Sequence, residues 1–169
     1  MTTVTEQAVW DALDTVSDPE IPVISVVELG IIQEVEVGDG EVNVSITPTF
    51  AGCPALYLMK DEIRKAVEDL GVPSDDVIVA VKLTPPWSSE RITEEGRRKL
   101  KEIGLAPPER VPSNGGIIAL DSIDLVDGIE CPYCDSRDTY LESAFGPTMC
   151  RSLYYCNNCK QPFEKFKAL

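Results

Sequence analysis

GIIQEVEVGDGEVNVSIT, residues 30–47, decides the fold class. Its two arms, GIIQEVEV and EVNVSIT, alternate apolar and polar side chains and are rich in β-branched residues, the pattern of half-buried strands. Gly38-Asp39-Gly40 between them is a tight-turn signal, so the stretch predicts a β-hairpin. Helical periodicity flanks it. Upstream, TEQAVWDALDTV (5–16) spaces Val9, Leu13 and Val16 along one helix face, and Pro19 and Pro22 then break the helix. Downstream, Leu56, Met59, Ile63, Val67 and Leu70 keep a helical period that Gly71 and Pro73 stop. DVIVAVKL (76–83) reads as a buried strand, and TEEGRRKLKEIG (93–104) as a charged final helix ending at Gly104. The order α-β-β-α-β-α predicts a small α+β domain with a mixed sheet covered by helices.

Composition changes after that helix. LAPPERVPSNGG (105–116) has the proline, glycine and polar content of a linker, and IIALDSIDLV (117–126) reads either as a strand lead-in or as a docking segment. The expected organisation is therefore an α+β domain over 1–104, a linker and lead-in over 105–128, and a cysteine-rich unit over 129–169.

Charge and missing residue types close off most functions. The chain carries a net charge of −14, yet residues 131–169 hold five Lys/Arg and four Asp/Glu, which leaves −15 on the first 130. So acidic a body repels phosphate backbones and argues against nucleic acid as a partner. There is no histidine, which excludes Cys-His and Ser-His catalytic pairs, His-bearing zinc sites and the Glu-x-x-His motif of bundle di-iron oxygenases. No GxGxxG or GxxxxGK[ST] loop occurs. No apolar run reaches the roughly 20 residues of a membrane helix, and MTTVTEQAVW lacks the build of a signal peptide. A cytoplasmic location follows as the expectation, and there cysteine clusters read as metal or redox sites.

Five of the six cysteines fall in the last 39 residues. Cys131-Pro-Tyr-Cys134 and Cys156-Asn-Asn-Cys159 are two CxxC knuckles 21 residues apart, a spacing that leaves room for a short hairpin. Two such turns aim four thiolates at one point. So short a unit lacks an independent core, which makes metal binding its source of folding energy. Zn2+ leads, four thiolates also suit iron or an iron–sulfur cluster, and a pair of disulfides is the competing reading. Cys150 lies outside both knuckles, either as a small buried residue or as an exchange ligand or redox partner. Phe163 and Phe166 read as ribbon packing rather than base-stacking platforms.

Cys53 is separate from that cluster. Pro54 suits the first position of a helix, which puts the thiol at or just before a helix N-terminus, where the dipole favours a thiolate. Gly52 beside it allows close approach. The thiol reads as a ligand for a soft metal or cluster, as a nucleophile resting on the helix alone, or as a structural cysteine. Asp18 and Glu20, flanking Pro19, read either as carboxylate donors or as parts of a capped, exposed turn. Trp87, in the rigid Pro85-Pro86-Trp87-Ser88 segment, reads as core or as a partner anchor.

SDPEIPVISVVELGII (17–32), the hairpin, TPTFAGCPA (47–55) and the helix after it resemble the small iron–sulfur assembly domain found in SufT and in cytosolic cluster-targeting factors, over roughly residues 5–104. With TPPWSSERITEEGRRKLKEIGLAPP (84–108), CPYC and FGPTMCRSLYYCNNCKQPFEKFK (145–167) added, nearly the whole chain resembles the PaaD family, one of the components of the phenylacetyl-CoA epoxidase system. The resemblance implies a helper of aerobic phenylacetate breakdown, in which a separate di-iron oxygenase epoxidises phenylacetyl-CoA, fed by a flavin and iron–sulfur reductase. It implies that Cys53, with Asp18 and Glu20, handles a transient iron–sulfur cluster or iron, and that Cys131, Cys134, Cys156 and Cys159 hold the ribbon metal. Its implied partners are the oxygenase and reductase subunits, with a homodimer as a further source of ligands to Cys53. A stable non-catalytic oxygenase subunit and a Cys53-dependent thiol enzyme are the alternatives. Family members often end in Phe-Lys-Cys; here Phe166-Lys167 is followed by Ala168-Leu169, so the resemblance gives no role to a terminal thiol.

Overall fold

The computed structural model describes residues 4–38, 40–110 and 128–168. The chain divides into two compact units at Gly96/Arg97, inside a helix. The first runs α1 (Glu6–Leu13), β1 (Ile32–Gly38), β2 (Glu41–Ile46), α2 (Leu56–Glu68) and β3 (Val77–Val81), into α3 (Glu94–Glu102). Strand order is β1-β2-β3, with β1 and β2 antiparallel and β2 and β3 parallel. This is the mixed sheet that the sequence predicts. The hairpin pairs Gly38 with Glu41, and Gly40 takes the left-handed φ of +92° that a tight turn asks for. Asp39, the middle of the predicted turn, and the segment 117–126 lie outside the described residues.

α1 and α2 cover one face of this sheet, burying Val9 and Leu13 from one helix and Met59, Ile63 and Val67 from the other. Thr5 caps α1 by accepting the Ala8 N–H at 3.2 Å. β3 corrects the expectation of a buried strand. It is an edge strand with Val77 and Val79 buried, and Ile78 and Ala80 exposed, because helices cover one face only.

The stretch between α1 and β1 is held by a device the sequence spells but helical periodicity misses. Ser25-Val-Val-Glu28 forms a capping box: Glu28 Oε2 accepts the Ser25 N–H at 2.9 Å, and Ser25 Oγ accepts the Glu28 N–H at 3.0 Å. Ser25 Oγ–H also donates to Asp14 Oδ1 at 2.6 Å, tying the box to the end of α1. The single turn closes through Leu29 N–H to Ser25 O and ends at Gly30, φ +70°. Trp87 is buried, and its Nε1–H donates to Leu29 O at 3.0 Å, so it is a core residue of this unit.

The second unit contains a four-stranded sheet in the order β4-β7-β6-β5, from Leu105–Ala106, Pro162–Phe166, Arg151–Cys156 and Thr139–Ser143. Where composition predicts a linker from residue 105, Leu105 and Ala106 are instead a buried strand parallel to β7. Two apolar residues with a hydrogen-bonding partner outweigh the prolines that follow. Phe163 and Phe166 are buried, as expected of ribbon packing. No helix among the described residues is long and apolar enough to cross a membrane.

A Cβ on Gly30 would lie 2.5–2.8 Å from Arg91, including its backbone, whereas one on Gly40 would meet nothing within 4 Å. Gly30→Ala is therefore expected to cost about 3–5 kcal/mol and Gly40→Ala about 1 kcal/mol. Urea unfolding measures both, and equal losses would contradict this packing.

Candidate metal and thiol sites

The four knuckle sulfurs converge. Their Sγ atoms all lie within 4.8 Å of one another, with Cys131–Cys159 at 3.7 Å and Cys134–Cys156 at 3.6 Å. Zinc–thiolate bonds of about 2.3 Å in a tetrahedron place sulfurs roughly 3.8 Å apart, so this donor set fits zinc in both softness and size. All four are free thiols rather than disulfides.

The convergence is built by one backbone motif used twice. In the first knuckle the Asp135 N–H donates to Cys131 O at 2.9 Å and the Cys131 N–H to Ser136 O at 3.0 Å. In the second, the Lys160 N–H donates to Cys156 O and the Cys156 N–H to Gln161 O, both at 3.0 Å. The residue after each second cysteine is left-handed, Asp135 at φ 58° and Lys160 at φ 61°, the only such non-glycine residues among those described. That turn directs backbone N–H groups at sulfur: Tyr133 and Cys134 toward Cys131, Ser136 toward Cys134, and Gln161 toward Cys159.

Burial and hydrogen bonding then differentiate the thiols. Loss of solvent pushes Cys131 up to about 12 and also raises Cys159. Cys134 is pulled down to about 6, chiefly by the Asn158 side-chain amide donating to its sulfur at 3.5 Å and then by the Ser136 N–H. Cys134 is thus the member readiest to carry a thiolate, while desolvation favours the protonated form at Cys131 and Cys159 until a cation compensates the charge. Asn158 is a site residue that the sequence reading missed; its place inside the second CxxC was the available signal. Cys131 and Cys156 are also core residues, packed with Ala106, Ile129, Tyr154 and Phe163. Cys150 is buried outside the cluster, 3.1 Å from Thr148 Oγ1.

Cys53 lies in the first unit, in the loop between β2 and α2. α2 begins at Leu56 with Ala55 as its cap, so Pro54 precedes the helix instead of opening it. Two successive turns set the thiol there: the Cys53 N–H donates to Phe50 O at 3.0 Å, and the Leu56 N–H to Cys53 O at 3.2 Å. This places Cys53 two residues outside the cap. No side chain caps α2, and no acidic residue occupies its first turn, which keeps that end of the dipole favourable to negative charge. The thiol is half-buried, with exposed Phe50, Tyr57 and Leu58 near it in sequence.

The turn before β1 departs from expectation at Asp18. It is buried, not exposed, and Oδ1 accepts the N–H groups of Glu20 and Ile21, both at 2.9 Å. Those bonds satisfy backbone donors beside Pro19 that a proline-broken turn leaves without helical partners. Glu20 is half-buried. Asp18 lines a groove between this turn and α2, and Cys53 is not among the groove's residues.

Residues 6–81 match the iron–sulfur cluster assembly protein family, and residues 121–167 match the PaaD zinc β-ribbon domain. A protein of Escherichia coli K12, named provisionally as a subunit of 1,2-phenylacetyl-CoA epoxidase, is 35% identical over 95% of this chain and 92% of its own length. An Fe-S protein maturation auxiliary factor of Porphyromonas gingivalis is 39% identical over 57% of this chain and 90% of its own. Among solved structures, a DUF59 domain from Bacillus anthracis superimposes with a TM-score of 0.51 at 28% identity, covering 56% of this chain and 90% of that one.

The two bonds to Asp18 Oδ1 predict a graded response. Asp18→Asn, which keeps the acceptor, is expected to cost under about 1 kcal/mol and Asp18→Ala about 2–3 kcal/mol in chemical unfolding. Equal losses would show that the acceptor geometry contributes nothing.

Proposed function

The chain belongs to the PaaD family, and from that premise we propose that it is an accessory maturation factor for the metal centres of a phenylacetyl-CoA epoxidase system. The observation that carries this reading is the likeness to the Escherichia coli relative along nearly the whole of both chains, assembly domain and ribbon together. The ribbon's role is structural: Cys131, Cys134, Cys156 and Cys159 hold Zn2+, which supplies the charge that lets buried thiolates form and the folding energy of a small unit. Iron or an iron–sulfur cluster is cargo, handled at Cys53. An uncapped helix end and flanking apolar side chains suit a thiolate meeting a soft, partly desolvated ligand, the remaining ligands coming from a client or a second copy. Asp18 serves that site by fixing the turn, and Glu20 stands beside it as a carboxylate of the same turn.

A second reading rests on the relative's name, which calls it a subunit: the protein stays in the oxygenase complex as a stable, non-catalytic component. Affinity purification with the oxygenase and reductase separates the two. Sub-stoichiometric, easily washed recovery fits a maturation factor, and stoichiometric recovery through size exclusion fits a resident component.

Cys53→Ser is expected to fold normally and to retain one zinc per chain while the client's iron or cluster content falls severalfold; failure to fold would make Cys53 structural. Cys131→Ser is expected to lose the ribbon zinc, read by metal analysis of anaerobically purified protein. Full zinc retention by that variant would contradict the ligand assignment.

A further inference from the structure

A groove of about 640 Å3 runs along α2 in the first unit, opposite the end of α1 and the proline turn. Its apolar lining includes Ala12, Val16, Pro19, Leu58, Ala66 and Leu70. Leu58, Glu62 and Lys65 of α2 and its C-terminal cap residue Asp69 recur along one face at helical spacing, over roughly 17 Å or about three turns. Leu58, half exposed at 51%, sits at the α2 end nearest Cys53 in sequence. Glu62 and Asp69 are exposed on the groove, seven residues apart and so on the same side, with Lys65 as the single cation between them. No ion pair among the described residues engages any of these three. The unit around them has five Lys/Arg against 19 Asp/Glu, a net of −14, through Gly96.

We propose that this groove is a docking site for a basic amphipathic helix of a partner protein. Its length matches about three turns of helix, and its apolar lining accepts the apolar stripe. Glu62 and Asp69 then meet Lys or Arg side chains spaced two turns apart on the incoming helix. The negative field of the whole unit steers such a segment in and repels an acidic one. The assignment is independent of what Cys53 carries, because no cysteine lines the groove.

The test titrates the full chain into a fluorescein-labelled helical peptide of about 14 residues built from Leu and Lys, and into the same peptide with Glu replacing Lys. The Lys peptide is expected to bind at least about tenfold more tightly than the Glu peptide, with affinity falling as salt rises. Glu62→Lys with Asp69→Lys is expected to weaken it about tenfold or more. Glu36→Lys with Glu41→Lys makes the same change in net charge on the exposed hairpin and is expected to weaken it less than about threefold. Leu58→Gln, at an exposed position, is expected to weaken it as well, which keeps the test open if the double reversal fails to fold. Amide shift changes should fall on residues 12–22 and 58–70. Equal weakening by the two charge reversals, equal binding of the two peptides, or shift changes elsewhere would overturn the proposal. Light scattering that shows a dimer whose formation protects these residues would also overturn it, making a second copy the occupant.

Discussion

Four sulfurs held within 4.8 Å of one another are the constraint on which the second unit depends. Two of them are also part of its small core, so the cluster and the hydrophobic packing are the same structure. Each knuckle spends its backbone hydrogen bonds on itself and aims its remaining N–H groups at sulfur, and each takes a left-handed residue to do so. Asp tolerates that conformation better than Lys, so the second knuckle carries the greater local cost. Strain of this kind persists where the surroundings over-determine it, and a four-thiolate metal site does.

The first unit is stabilised differently. Its helices and sheet form an ordinary apolar layer, and polar bonds serve the irregular stretch between α1 and β1. The Ser25–Glu28 box, the Asp18 turn and the Trp87 indole between them satisfy backbone groups that no strand or helix accommodates. A rigid turn of this kind forms the wall opposite α2. The Cys53 loop is bounded by two simple turns and a helix without a side-chain cap, a lighter scaffold than the turn before β1.

Much of this was legible in the residues. Periodicity located α1, β1, β2 and α2 because each has a one-sided apolar pattern, whereas α3 was legible as a charged stretch that ends at Gly104. The CxxC pair located the four sulfurs because spacing alone directs them together. Three features escaped for physical reasons. β3 has the composition of a buried strand, but its edge position follows from strand order and its exposed face from which side the helices cover, both tertiary facts. The short β4 sits in a proline-rich stretch, where composition points to a linker and pairing with β7 decides otherwise. Asp18 looked exposed because aspartate in a Pro-flanked turn usually is, while here it is buried and its Oδ1 accepts two backbone N–H groups of the turn. The groove along α2 was out of reach, since it requires knowing what α2 faces.

The central claim is that the ribbon depends on its metal and the assembly domain does not. Amide hydrogen exchange on the reduced full chain, with stoichiometric zinc and then with a strong chelator, tests it most directly. The account predicts that chelation removes protection from residues 151–166 while leaving that of α2 and the β1–β2 hairpin unchanged. Persisting protection of residues 151–166 without metal, or loss of protection in both units together, would contradict it.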